Sequence, residues 1–123
     1  MAKRILIVDD EDDIRELVHV SLEDEGYEIY EASDGNEALA KAREHRPDLV
    51  ILDVMIPGKT GYEVCEELKK DPQTKNVFVL FLSARGKAAS QLTGKTKGGD
   101  EFMTKPFEPG ELRRMVRKAL GAK

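Results

Sequence analysis

Asp9-Asp10, Asp53, Ser83 and Lys105 each stand where a short apolar run stops. Ile5-Leu6-Ile7-Val8 leads into the acidic pair, Leu49-Val50-Ile51-Leu52 into Asp53, and Val77 to Leu82 into Ser83, while Phe102 to Thr104 precedes Lys105. Runs this short, bounded by turn residues, read as buried strands of a parallel sheet. Open α/β sheets place ligands at the carboxyl ends of their strands, so these groups can converge on one edge. Three carboxylates sharing a cleft repel one another and need cationic compensation. Lys105 is the cation at this edge, and a divalent ion would balance the remaining charge. All-oxygen ligands favour a hard ion, and magnesium binds through a few carboxylates while keeping several waters. A metal, a lysine and a hydroxyl together suit a phosphoryl group, with Asp53 as the nucleophile that forms an aspartyl phosphate.

Taken singly, each residue has a plainer reading. Asp53 serves equally well as the start of the Pro57-Gly58 turn. Acidic residues at a helix start gain about 0.3–1 kcal/mol from the helix dipole, which accounts for Asp12 and Asp13. Ser83 alone is more often a helix cap, and Lys105 alone a solvated lysine. The joint spacing carries the argument.

The elements that must position these groups follow from periodicity. Ile14, Leu17, Val18 and Leu22 mark a first helical face, and Gly26 a natural stop. Tyr27 to Ala32 is a strand, and Ala38, Leu39 and Ala42 belong to a second helix ending before Pro47. Tyr62, Cys65 and Leu68 give a third helical face, closed by Asp71-Pro72. Pro109 suits a first helical turn, with Leu112, Met115, Val116 and Leu120 as the last apolar face. Strand and helix thus alternate five times, giving an α/β fold. It is a five-stranded parallel sheet flanked by helices on both faces, in the flavodoxin-like (βα)5 order. Residues 86–99 must supply the fourth helix, yet Gly94, Gly98 and Gly99 lie there and Leu92 is the one sizeable apolar side chain. An interior glycine costs about 1 kcal/mol relative to alanine, so a short or frayed helix is expected.

Bulk properties agree with one domain over 1–123. The chain has 123 residues, 40% hydrophobic and 36% charged, with a formal net charge of -4 that argues against a nucleic-acid-binding surface. The lone Cys65 excludes an internal disulfide and fits a reducing compartment. No apolar run approaches a membrane span and no secretory signal is visible, so a cytoplasmic location without membrane insertion is expected.

The stretches ILIVDDE, LVILDVMIPGKTGYEV, FLSA and KPF closely resemble the receiver domain of two-component response regulators over essentially the whole chain. The resemblance implies that Asp53 is the phosphoacceptor and Asp10 a direct magnesium ligand. Asp9 acts in the acidic pocket, through water, and the backbone carbonyl of Met55 completes the protein ligands. It further implies that Ser83 bonds a phosphoryl oxygen and Lys105 pairs with it, across a cis Lys105-Pro106 bond. Phe102 falls at the aromatic switch position, although an ordinary core phenylalanine is the simpler alternative. By the same resemblance, Met55 and Arg85 are expected to lie where side chains influence access of the hydrolytic water. The implied partners are a sensor histidine kinase or phosphotransfer protein, and an output partner bound through the fourth helix, fifth strand and fifth helix. The domain is a signalling phosphoacceptor rather than an enzyme in its own right.

Departures from the family pattern are Phe102 in place of the frequent tyrosine, Thr60 where aspartate is common, and the glycine- and threonine-rich segment 93–99. A rival is a phosphatase of the haloacid dehalogenase type, which also forms an aspartyl phosphate. Its nucleophile would be Asp9, but at the spacing of its second aspartate stands Glu11. A flavodoxin-like cofactor module is rejected because Asp9-Asp10-Glu11-Asp12-Asp13 would repel a phosphate. The phosphate-loop near-match Ala89-Ser90-Gln91-Leu92-Thr93-Gly94-Lys95-Thr96 lacks its first glycine and begins inside an expected helix rather than after a strand.

Overall fold

The computed structural model describes residues 2–83, 100–104 and 107–121, with Ser83 described by its backbone alone. The strands are β1 (Arg4–Val8), β2 (Glu28–Ala32), β3 (Leu49–Asp53), β4 (Phe78–Ser83) and β5 (Glu101–Thr104). Among the described residues four helices accompany them: α1 (Asp12–Glu23), α2 (Gly35–His45), α3 (Gly61–Lys70) and α4 (Pro109–Leu120). The expected helix within 86–99, Arg85, Lys105 and the Lys105-Pro106 bond lie outside the described residues.

All neighbouring strands pair in parallel, in the order β2-β1-β3-β4-β5. The chain reverses its direction of winding between β1 and β3, and open α/β sheets bind ligands outside the carboxyl ends at such a switch point. The period-2 alternation of a strand explains how one sheet fills two cores. Leu6, Val8, Val50, Leu52, Val79 and Phe81 face Ala38, Leu39, Ala42, Val64, Cys65 and Leu68 of α2 and α3. Ile5, Ile7, Leu49, Ile51, Leu80 and Leu82 face Val18, Leu22, Leu112 and Val116 of α1 and α4. Each fully buried aliphatic side chain contributes roughly 1.5–3 kcal/mol. A one-residue slip of β1 or β3 would exchange its two faces, so the register that places the acids is held by the whole core.

One expected core position differs. Leu17 is 42% exposed, and the buried stripe of α1 runs through Val18, Ser21 and Leu22 instead. A helix touching the sheet along one narrow line leaves an apolar residue beside that line in solvent. Thr60 has a clear role: it caps α3, its Oγ1 accepting from the Glu63 amide while Glu63 accepts from the Thr60 amide. Threonine and aspartate both cap well, so this departure is structurally mild. Burial pushes the Cys65 thiol up to about 11, leaving it a packing group rather than a nucleophile. No helix among the described residues is long and apolar enough to cross a membrane.

Helix starts also tie the fold to pH. The Ser33 amide donates to Glu37 and holds its carboxyl below the ordinary glutamate range, against the effect of burial. A depressed folded pKa adds stability that is present above the unfolded value and lost as pH falls through the folded one. Urea midpoints should therefore drop on acidification from about pH 6 to about pH 3, and Glu37→Gln should flatten that slope. Superimposable profiles for the two proteins would contradict the assignment.

Candidate functional site

Val8 pairs with Leu52 in the β1–β3 register, so the next residues, Asp9 and Asp53, emerge side by side. Asp53 in turn pairs with Leu82, putting the Ser83 backbone one step beyond. Ser83 pairs with Thr104, and β5 ends there, directly before Lys105. The register thus aligns the strand ends that the sequence singled out.

Carboxylate oxygens of Asp9, Asp10 and Asp53 all lie within 4.8 Å of one another. Asp9 is 2% and Asp53 7% exposed, whereas Asp10 is open to solvent. Backbone amides orient the two buried acids. Asp9 Oδ1 accepts from Glu11 N at 2.9 Å and Asp53 Oδ1 from Met55 N at 3.2 Å. Two unit charges about 4 Å apart cost about 4 kcal/mol at an effective dielectric of about 20, so this cluster is under real electrostatic load. Oxygen donors at these separations, two buried and one reaching from the surface, fit a small divalent ion that keeps part of its water shell. The structure thus brings together the three carboxylates that the sequence singles out.

Beyond β3 the chain must turn sharply. Gly58 sits at φ +84°, a left-handed conformation that glycine adopts readily. Met55 side chain is 59% exposed at the mouth of the site. Ile56 and Val54 are buried and pin the loop to the α2–α3 core. Phe102 is half-buried and stacks on Phe81 with centroids 5.1 Å apart, and Tyr62 meets Phe81 edge-on at 5.2 Å. An aromatic column therefore runs from α3 to β5 beneath this edge. The side chains of Ser83 and Lys105 lie outside the described residues.

Two residues that periodicity does not single out matter here. Gly61 begins α3 directly against β3: its amide donates to Val54 O at 2.8 Å, and a Cβ there would lie 2.5 Å from Asp53 O. Arg15 Nη1 donates to the backbone carbonyl of Asp9 at 2.7 Å. The only sequence signals were a glycine at a helix start and an arginine three residues after Asp12, both commonplace.

The family model of the response regulator receiver domain matches residues 5–117. The alkaline phosphatase synthesis transcriptional regulatory protein PhoP of Bacillus subtilis is 45% identical over 121 residues, covering 98% of this chain and 49% of that protein. The phosphate regulon transcriptional regulatory protein PhoB of Escherichia coli is 42% identical over 112 residues, covering 91% and 49%. The chain therefore spans about half the length of these regulators. Among solved structures, a response regulator from Chloroflexus aurantiacus superposes with TM-score 0.93 at 36% identity, covering 98% of this chain and 99% of that one. The chemotaxis response regulator CheY4 of Vibrio cholerae gives 0.91 at 36% identity, covering 98% and 100%.

Gly61→Ala should force the Asp53–Val54 backbone to move. We expect a loss of about 1–3 kcal/mol in urea unfolding, as for other overpacked sites, with weakened divalent-cation binding. Wild-type stability and cation affinity in this variant would show that the close approach is not needed.

Proposed function

The chain belongs to the response regulator receiver domain family, and from that premise we propose that it takes a phosphoryl group onto Asp53 from a phosphohistidine of a sensor kinase or phosphotransfer protein. The observation that carries this reading is the three-carboxylate cluster at the carboxyl ends of β1 and β3. Receiver domains bind magnesium at such a pocket, and here Asp10 and Asp53 would hold it directly, with the Met55 carbonyl, while Asp9 would act through water. Bound magnesium would neutralise charge on the transferring oxygens.

The chain's own residues divide the remaining work. Met55 N fixes one oxygen of Asp53, which orients the carboxylate at the carboxyl end of β3. In the transfer, an Asp53 oxygen forms a bond to phosphorus as the phosphorus–imidazole nitrogen bond breaks, and the electron pair returns to the donor ring. Ser83 would then donate to a phosphoryl oxygen and Lys105 pair with it. Movement of Ser83 would change the space beside Phe102, whose ring stacks on Phe81, and so would shift an equilibrium between two surface arrangements. Met55 and Arg85 would govern entry of the hydrolytic water.

Residues 1–123 form one receiver domain in this reading, acting in the cytoplasm through an output partner rather than by touching nucleic acid itself. The partner would bind the face that includes β5 and α4. The haloacid dehalogenase alternative is not supported, because the family match is to receivers.

Treatment with acetyl phosphate and magnesium should add a single phosphoryl mass, mapped by peptide analysis to Asp53. Asp53→Asn should take up none. Label at Asp9, or undiminished labelling of the variant, would refute the assignment.

A further inference from the structure

Arg15 is the side chain that ties the acidic corner to the rest of the fold, although it touches no reacting atom. Its side chain is 16% exposed, and each arm of its guanidinium has a partner on a different segment. Nη1 donates to Asp9 O at 2.7 Å, Nε to Glu31 Oε1 on β2 at 3.1 Å, and Nη2 to Asp12 on the first turn of α1. Glu31 is itself held, its Oε2 lying 2.7 Å from His19 Nδ1, with the Lys41 ammonium on its own backbone carbonyl. Burial pushes the Glu31 carboxyl up, but its bonds to His19 and Arg15 outweigh this and the net shift is downward.

The Asp9 carbonyl belongs to the same rigid peptide plane as the Asp10 amide and Cα. Fixing that oxygen therefore fixes the Asp10 Cα and the axis of its N–Cα bond, from which φ and χ1 then direct the side chain. The other end of Asp9 is already anchored, since its amide donates to Ala32 O at 3.1 Å. Asp10 is exposed and lacks the burial that orients Asp9 and Asp53, so a fixed backbone on its N-terminal side narrows where its carboxylate can reach.

We propose that Arg15, braced by Glu31, is a positioning residue for divalent-cation binding, holding the Asp9–Asp10 peptide so that the Asp10 carboxylate faces Asp9 and Asp53. The proposal rests on the magnesium-dependent reading above. It makes a prediction whose sign separates it from simple charge effects. Removing a cation from beside a metal pocket should tighten metal binding by Coulomb's law, whereas removing a positioning group should weaken it.

The test is a magnesium titration of the full chain, followed by thermal melting, for wild type, Arg15→Met, Arg15→Lys and Glu31→Gln. Arg15→Met should weaken apparent magnesium affinity about tenfold or more, as losing an outer-shell partner of a metal ligand typically does. Arg15→Lys should recover part of it, and Glu31→Gln should show a smaller loss in the same direction. In metal-free protein, amide exchange at Asp10 and Glu11 should accelerate in Arg15→Met. Unchanged or tighter magnesium binding in Arg15→Met overturns the proposal, even if that variant melts earlier. Should Arg15→Met fail to fold, unaltered affinity in Glu31→Gln overturns it. A wild-type chain without magnesium response would instead sink the underlying reading of the pocket.

Discussion

Crowding of like charge is the constraint on which the rest of the structure depends. Three carboxylates approach within 4.8 Å of one another at the rim of a parallel sheet, two of them buried. A fold maximising its own stability would not assemble such a cluster. The cost is borne by the two aliphatic cores on either side of the sheet, which hold register independently of the acids. Sites of this kind trade stability for function, and the load they carry makes them responsive to a cation or a phosphoryl group.

Local devices complete what the sheet begins. Backbone amides of Glu11 and Met55 orient Asp9 and Asp53 without adding a net charge. Gly61 lets α3 start in contact with the Asp53 carbonyl, and the Thr60–Glu63 capping box fixes where that helix begins. The loop between β3 and α3 is therefore pinned at both ends while Met55 stays at the surface. Rigid placement of the acids and an open approach for a donor are compatible for this reason.

How much of this was readable in the sequence varies with the length scale of each signal. Asp9, Asp10 and Asp53 are legible through their joint spacing, each standing where a short apolar run stops. Alternation and handedness leave few strand orders, and the flavodoxin-like one expected among them is the order of the sheet. Leu17 was misplaced because helical periodicity gives a face but not its width. Arg15 and Gly61 were missed because their importance lies in contacts across the fold, with Glu31 on β2 and with Asp53 on β3. No local pattern encodes such contacts.

Electrostatic load at the sheet rim can be measured directly by the stability of a charge-neutralised chain without metal. Asp10→Asn, unfolded by urea in the presence of a chelator, should show a higher midpoint than wild type, and added magnesium should raise the wild-type midpoint while leaving the variant's unmoved. A variant less stable than wild type under chelation and still stabilised by magnesium would contradict the account.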